Sequence, residues 1–150
     1  MQNTLTKNKY LPTALSMYIN YFIHGMGCII LAQNIDFLME QFNTNNAGVS
    51  YVISALGLGR LIVLFVSGIL SDKYGRKPFV LLGMGTYVLF MGGILISNNV
   101  TMAFFFALLA GMANSFMDAG TYPALTECFP EASGSANVAI KAFISAGQFV

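Results

Sequence analysis

Charge is scarce in this sequence: Asp, Glu, Lys and Arg make up 9% of its 150 residues, against 56% that are hydrophobic. A chain facing water on all sides needs a far larger polar surface, so the composition excludes a soluble domain and points to a membrane protein. The few charges nearly cancel, at +1, and no nucleic acid or acidic partner is expected. Cysteine is scarcer still. Cys28 and Cys128 stand a hundred residues apart, which implies neither a disulfide framework nor metal-ligand spacing. There is no G-x-x-x-x-G-K-(S/T) loop, no G-x-S-x-G elbow and no nucleophile beside a base, so ATP-driven work and enzyme chemistry are not expected. No cofactor is expected either. Lys7 and Lys9 precede an apolar run, as in a secretion signal. That run is long, is interrupted by Asn20, His24 and several tyrosines, and lacks a small-residue cleavage site after a compact core. It reads as a retained first helix.

What the chain does have is apolar runs. Five are expected as helices, at about 12–33, 47–70, 78–96, 101–125 and 138–150, the first four matching the roughly 20 residues that cross a hydrocarbon core about 30 Å thick. The fold class is all-α, integral to the bilayer. The last run covers only about 20 Å at about 1.5 Å per residue, so it is expected to be incomplete and the chain to be a fragment or a truncated product. Asp36 to Asn46 reads as a polar connection, with Asn43-Thr44-Asn45-Asn46 as turn and N-cap chemistry. Pro130 and Ser133-Gly134-Ser135 mark another connection, at about 127–137. Lys7, Lys9, Lys73, Arg76 and Lys77 fall on one side of the membrane, while residues 34–46 and 98–100 contain no basic residue. Basic loops stay in the cytoplasm, so the N-terminus is expected there.

Between the second and third runs lies Gly68-Ile69-Leu70-Ser71-Asp72-Lys73-Tyr74-Gly75-Arg76-Lys77-Pro78. Gly75 suits a tight turn and Pro78 a helix start. The stretch, with 71–77 as its loop, resembles the connection between the second and third transmembrane helices of the major facilitator superfamily, G-x-L-a-D-(R/K)-x-G-(R/K)-(R/K). It matches at Gly68, Leu70, Asp72, Lys73, Gly75, Arg76 and Lys77, with Ser71 a small-for-small departure. The resemblance implies the first four and a half of twelve helices, in halves built from two inverted three-helix repeats. It further implies secondary transport of a small solute by alternating access, coupled to protons. Gly68, Asp72, Gly75, Arg76 and Lys77 would then act as a cytoplasmic gate. Further helices, or another chain, would be needed to complete the cavity.

Polar groups at membrane depth are costly and should face the protein interior. On the first helix Asn20, His24, Gly27, Leu31 and Asn34 recur at steps of four and three; on the fourth Gly111, Asn114, Asp118 and Tyr122 do the same. The third helix is bare apart from Tyr87. By the resemblance, the first and fourth helices are equivalent and line the cavity. Asn20, His24, Arg60, Asn114 and Asp118 are the expected solute and proton site, with Asp118 as proton carrier and His24 as relay. Each has a plainer reading: His24 as a helix-to-helix hydrogen bond, Arg60 and Asp118 as a structural pair. Lys141, Ser145 and Gln148 share a face of the fifth helix, and Lys141 is expected to snorkel to the cytoplasmic surface. The competing function class is a non-transporting remnant or helix-packing partner.

Overall fold

A chain can cross hydrocarbon only if its backbone bonds are satisfied internally, and helices do this within a single segment. The computed structural model describes residues 9–150; Lys7, used above for orientation, lies outside the described residues. The helices are α1 (Leu11–Gln33), α2 (Ile35–Gln41), α3 (Asn46–Tyr74), α4 (Arg76–Ile96), α5 (Val100–Cys128) and α6 (Ser133–Phe149), with a 3-10 turn at Pro130–Ala132 before α6. No strand occurs among the described residues. Of these helices α1, α3, α4 and α5 are long and apolar enough to cross a membrane.

Asn side chains set two of the helix starts. Asn45 Oδ1 accepts from the backbone N–H of Gly48 at 3.1 Å, and Asn99 Oδ1 from that of Met102 at 2.8 Å. Three expectations change. The connection after α1 contains α2, because Leu38 and Phe42, one turn apart, are buried and Gln41 Nε2 donates to the carbonyls of Ile94 and Ser97 at the end of α4, at 3.0 and 2.8 Å. The expected loop at 71–77 is helical except at Gly75, which breaks the chain with φ 94°. Pro78 sits in the first turn of α4, where a missing N–H leaves no gap. Finally, α6 begins at Ser133 rather than near residue 138.

The described chain forms two compact units, residues 30–121 and residues up to 29 together with 122–150. In the central unit α3 and α5 cross in close contact. A Cβ added at Gly59 would collide with the carbonyl oxygen of Leu108, and one at Gly111 with that of Leu56. Only glycine allows the two backbones so near. Ala103, Ala107, Ala110 and Ala113 of α5 are fully buried in one core with Val49, Val52 and Ala55 of α3 and Phe90 of α4. In the terminal unit α1 and α6 cross in the same register: Gly25 lies against the carbonyl of Ile144 and Gly147 against that of Phe22. In both crossings each glycine meets the residue three positions before its partner glycine.

A row of serines continues the α3–α5 contact. Ser115 Oγ donates to the carbonyl of Arg60 at 2.8 Å, Ser67 Oγ to that of Ser115 at 3.3 Å, and Ser71 Oγ to that of Ala119 at 2.9 Å. The last bond has a local cause. Pro123 lies inside α5 and has no N–H for the carbonyl four residues earlier, which belongs to Ala119. The fully buried Ser71 supplies the missing donor, and its own carbonyl accepts from the Gly75 N–H at 3.0 Å, which closes the last turn of α3 past the expected end near Leu70. Ser71→Ala should therefore cost about 1–3 kcal/mol, the penalty for a buried carbonyl left unbonded. Pro123→Ala restores an N–H within α5 and should recover most of that loss. Unfolding titrations of the two single variants and the double variant in mixed micelles measure the coupling, and strictly additive effects would remove the pairing.

Candidate functional site

In the central unit the middle of α3 meets the last third of α5. Arg60 stands fourteen residues from either end of α3 (Asn46–Tyr74), about 21 Å of helix each way. Its Nη2 donates to Asp118 Oδ2 at 2.8 Å, with the two side chains 49% and 19% exposed. The guanidinium offers a carboxylate at such depth a fixed positive partner. One turn earlier on α5, Asn114 Oδ1 is buried and accepts no hydrogen bond. Sequence periodicity put Asn114 and Asp118 on one face of their helix and Arg60 stood out as a lone charge; the distance between Arg60 and Asp118 is what the structure adds.

The loop motif is anchored on the residues that follow Asp118. Ala119 binds Ser71 through its carbonyl. Gly120 has no side chain, and a Cβ there would press on the Val80 side chain and the carbonyl of Arg76. Asp118, Ala119 and Gly120 thus contact Arg60, Ser71 and the first turn of α4 in turn. Across the Gly75 break, Arg76 forms an ion pair with the exposed Asp72. Lys73 and Lys77 are exposed, and Lys73 Nζ lies 5.5 Å from the ring centroid of Tyr74. At Gly68 an added Cβ would meet nothing within 4 Å in this chain.

Asn20 and His24 belong to the terminal unit. His24 is buried, at 7% exposure; its Nε2 lies 3.3 Å from Cys28 Sγ, one turn along α1. The edge of its ring meets Tyr21, with centroids 5.6 Å apart, and Tyr21 in turn meets Tyr122 of α5 at 6.2 Å. Asn20 Nδ2 and Tyr122 Oη are buried without hydrogen-bond partners. Lys141 of α6 places Nζ 5.2 Å from the centre of the Tyr122 ring. One turn before it, Asn137 Nδ2 donates to Thr126 Oγ1 at 3.1 Å. Tyr18 Oη, closer to the start of α1, donates to the carbonyl of Ala136 at 3.0 Å. Sequence reasoning passed over Tyr21, Cys28 and the contact of Lys141 with Tyr122. The available signal was the shared α6 face of Lys141, Ser145 and Gln148, which shows a direction but no neighbour. Among the described residues no three His, Cys, Asp or Glu side chains gather as metal ligands.

Comparison with known proteins follows the motif. The family model of the Major Facilitator Superfamily matches residues 17–150. The inner membrane transport protein YdiM of Escherichia coli (strain K12) is 56% identical over 144 residues, 96% of this chain and 36% of that protein. The uncharacterized MFS-type transporter YfkL of Bacillus subtilis (strain 168) is 57% identical over 147 residues, 98% of this chain and 36% of its own length. YdiN of E. coli K12, also named an inner membrane transport protein, is 47% identical over 98% of this chain and 35% of its own. The chain thus spans about a third of the length of these relatives. No solved structure matches it. With four membrane-length helices, the Asp72–Arg76 motif and a family match across nearly all of its length, the chain belongs to the Major Facilitator Superfamily and is an integral, multi-pass membrane protein.

Proposed function

We propose that this chain is part of a secondary transporter that moves a small solute by alternating access and couples it to protons, with Asp118 carrying the proton. The observation that carries this reading is the Arg60–Asp118 pair, at 2.8 Å and midway along α3, with half of the arginine side chain open. A solute that competes for the guanidinium draws the cation away from the carboxylate, and loss of that cation favours uptake of a proton. Exchange of partners then links the two fluxes, as symport when solute and proton move together. Asn114, with a buried oxygen that accepts no bond, is a solute contact. Asn20 and His24 act in the terminal unit, His24 as a milder proton relay. The relatives named as transporters support the class of activity. Since the chain spans about a third of their length, the other cavity wall comes from further helices, in continuation or in another chain.

Gating belongs to Gly68, Asp72, Gly75, Arg76 and Lys77. Asp72 docks against a helix N-terminus of that further part, where the dipole favours a carboxylate; Gly68 permits the approach and Arg76 holds Asp72 in place. The basic residues Lys73, Arg76 and Lys77 keep this end in the cytoplasm, together with the N-terminus. A plainer alternative, a helix-packing protein without transport, shares the same fold.

Three measurements test this reading in the complete transporting assembly, reconstituted in vesicles. Asp118→Asn should lower proton-driven accumulation at least about tenfold, about 1.4 kcal/mol, while downhill exchange persists and His24→Gln has the smaller effect. Accumulation that survives Asp118→Asn would leave the pair purely structural. Asp72→Asn should slow transport by shifting the inward–outward balance with little change in solute affinity, and unchanged rate and accessibility would reduce the motif to a topogenic hairpin. Single-cysteine labelling should reach position 43 from outside and position 74 from the cytoplasm; labelling of position 43 from the cytoplasm would reverse the topology.

A further inference from the structure

Lys141 stands apart from the other described basic residues. Lys9 precedes α1, Lys73, Arg76 and Lys77 flank the Gly75 break, and Arg60 is paired with Asp118. Lys141 lies within α6, eight residues from its start at Ser133, or about 12 Å, and no carboxylate pairs with it among the described residues. A snorkelling lysine would extend along its own helix towards the membrane surface. This one is exposed and reaches across to α5, with Nζ 5.2 Å from the Tyr122 ring centre, in a cation–π contact that gives the ammonium an aromatic neighbour.

The surroundings are equally particular. Tyr122 stacks edge-on against Tyr21 at 6.2 Å, which makes a two-ring wall beside the ammonium. The Tyr122 hydroxyl is buried and makes no hydrogen bond, nor does Nδ2 of Asn20, on the same turn of α1 as Tyr21. A buried polar atom without a partner costs about 1–3 kcal/mol, and a native site keeps such atoms where a ligand or water completes them. The available groups are an ammonium, a phenol O–H and an amide N–H. The ammonium and the amide N–H only donate, the phenol hydroxyl can donate or accept, and the net charge is positive, so the complementary ligand is an anion with acceptor oxygens. The rings add an apolar, flat contact.

We propose that Lys141, seated on Tyr122 beside Tyr21, is an anion-binding group of the terminal unit, and that its ligand is a carboxylate carrying a flat apolar body. This deepens the transport reading and rests on it for calling that ligand a transported solute; the binding itself needs no proton gradient. The test is calorimetric titration of the full chain in lipid nanodiscs with benzoate, with its uncharged counterpart benzamide, and with acetate. Benzoate should bind at least about tenfold more tightly than either of the others, a difference of about 1.4 kcal/mol. Lys141→Gln should remove that preference over benzamide, Lys141→Arg should keep it, and Tyr122→Phe should weaken benzoate severalfold. Benzoate binding no tighter than benzamide overturns the proposal, as does an unchanged preference in a Lys141→Gln protein of native helicity. Should Lys141→Gln not fold, loss of the preference in Lys141→Arg overturns it and retention supports it. Acetate as tight as benzoate overturns the flat apolar body. Benzoate preference that depends on Lys141, found together with accumulation indifferent to Asp118→Asn, keeps this site and discards only the proton carrier.

Discussion

Helix backbones in van der Waals contact at Gly59 and Gly111 set the geometry on which the central unit depends. With no side chain on either residue, each helix rests on a carbonyl of the other, and short hydroxyls can then span the gap. Ser67, Ser71 and Ser115 reach across only because the helices are this close. Arg60, next to Gly59, is brought within reach of Asp118 by the same register. Hydrocarbon gives helices no hydrophobic reason to associate, so small residues and hydroxyl-to-carbonyl bonds do what apolar burial does in water. A larger residue at either glycine would part the helices, and the serine bonds and the ion pair would be lost together.

The terminal unit repeats the crossing, with Gly25 and Gly147 in the same register, but not the chemistry. The residue after Gly59 is Arg60; the residue after Gly147 is Gln148. Seven positions after Gly111 stands Asp118; seven after Gly25 stands Ala32. Packing and charge are therefore separable: one glycine device holds both crossings, and the ion pair is an addition to one of them. In the terminal unit the cation is Lys141, and aromatic faces stand beside it where the central unit has a carboxylate.

The long helices were legible because twenty apolar residues in a row leave few alternatives, and Arg60 and Asp118 stood out because charge is rare in such runs. Local pattern failed where the deciding contact was distant. The segment 71–77 looks like a loop by its charges, yet it is helical through Tyr74, and Ser71 answers a carbonyl that Pro123 cannot serve, fifty-two residues away in sequence. The helix α2 was hidden because Asp36 to Asn46 reads as a polar connection, while Leu38 and Phe42 did the packing. Position along the runs gave Arg60 and Asp118 a depth, and periodicity gave Asp118 a face, but neither gave their separation; periodicity gave Lys141 a direction without Tyr122.

The position of Asp72 follows from these contacts and sharpens its proposed role. It lies in the last turn of α3, where unpaired carbonyls make the helix end negative and a carboxylate is disfavoured by about 0.3–1 kcal/mol. A mobile loop could relax that conflict by turning away. Here Ser71, the preceding residue, is fixed to Ala119, and the first turn of α4 is fixed over Gly120. Asp72 is thus held at an unfavourable helix end, exposed, with Arg76 across the Gly75 break as its local compensation. An exposed carboxylate kept rigid against its own helix dipole is suited to meet the positive end of another helix. Because Asp118 immediately precedes Ala119 and Gly120, a shift of α5 that accompanies release of Asp118 from Arg60 would move the supports of Asp72 and Arg76 as well. Three consecutive residues of α5 give the proposed proton site and the proposed gate one mechanical connection.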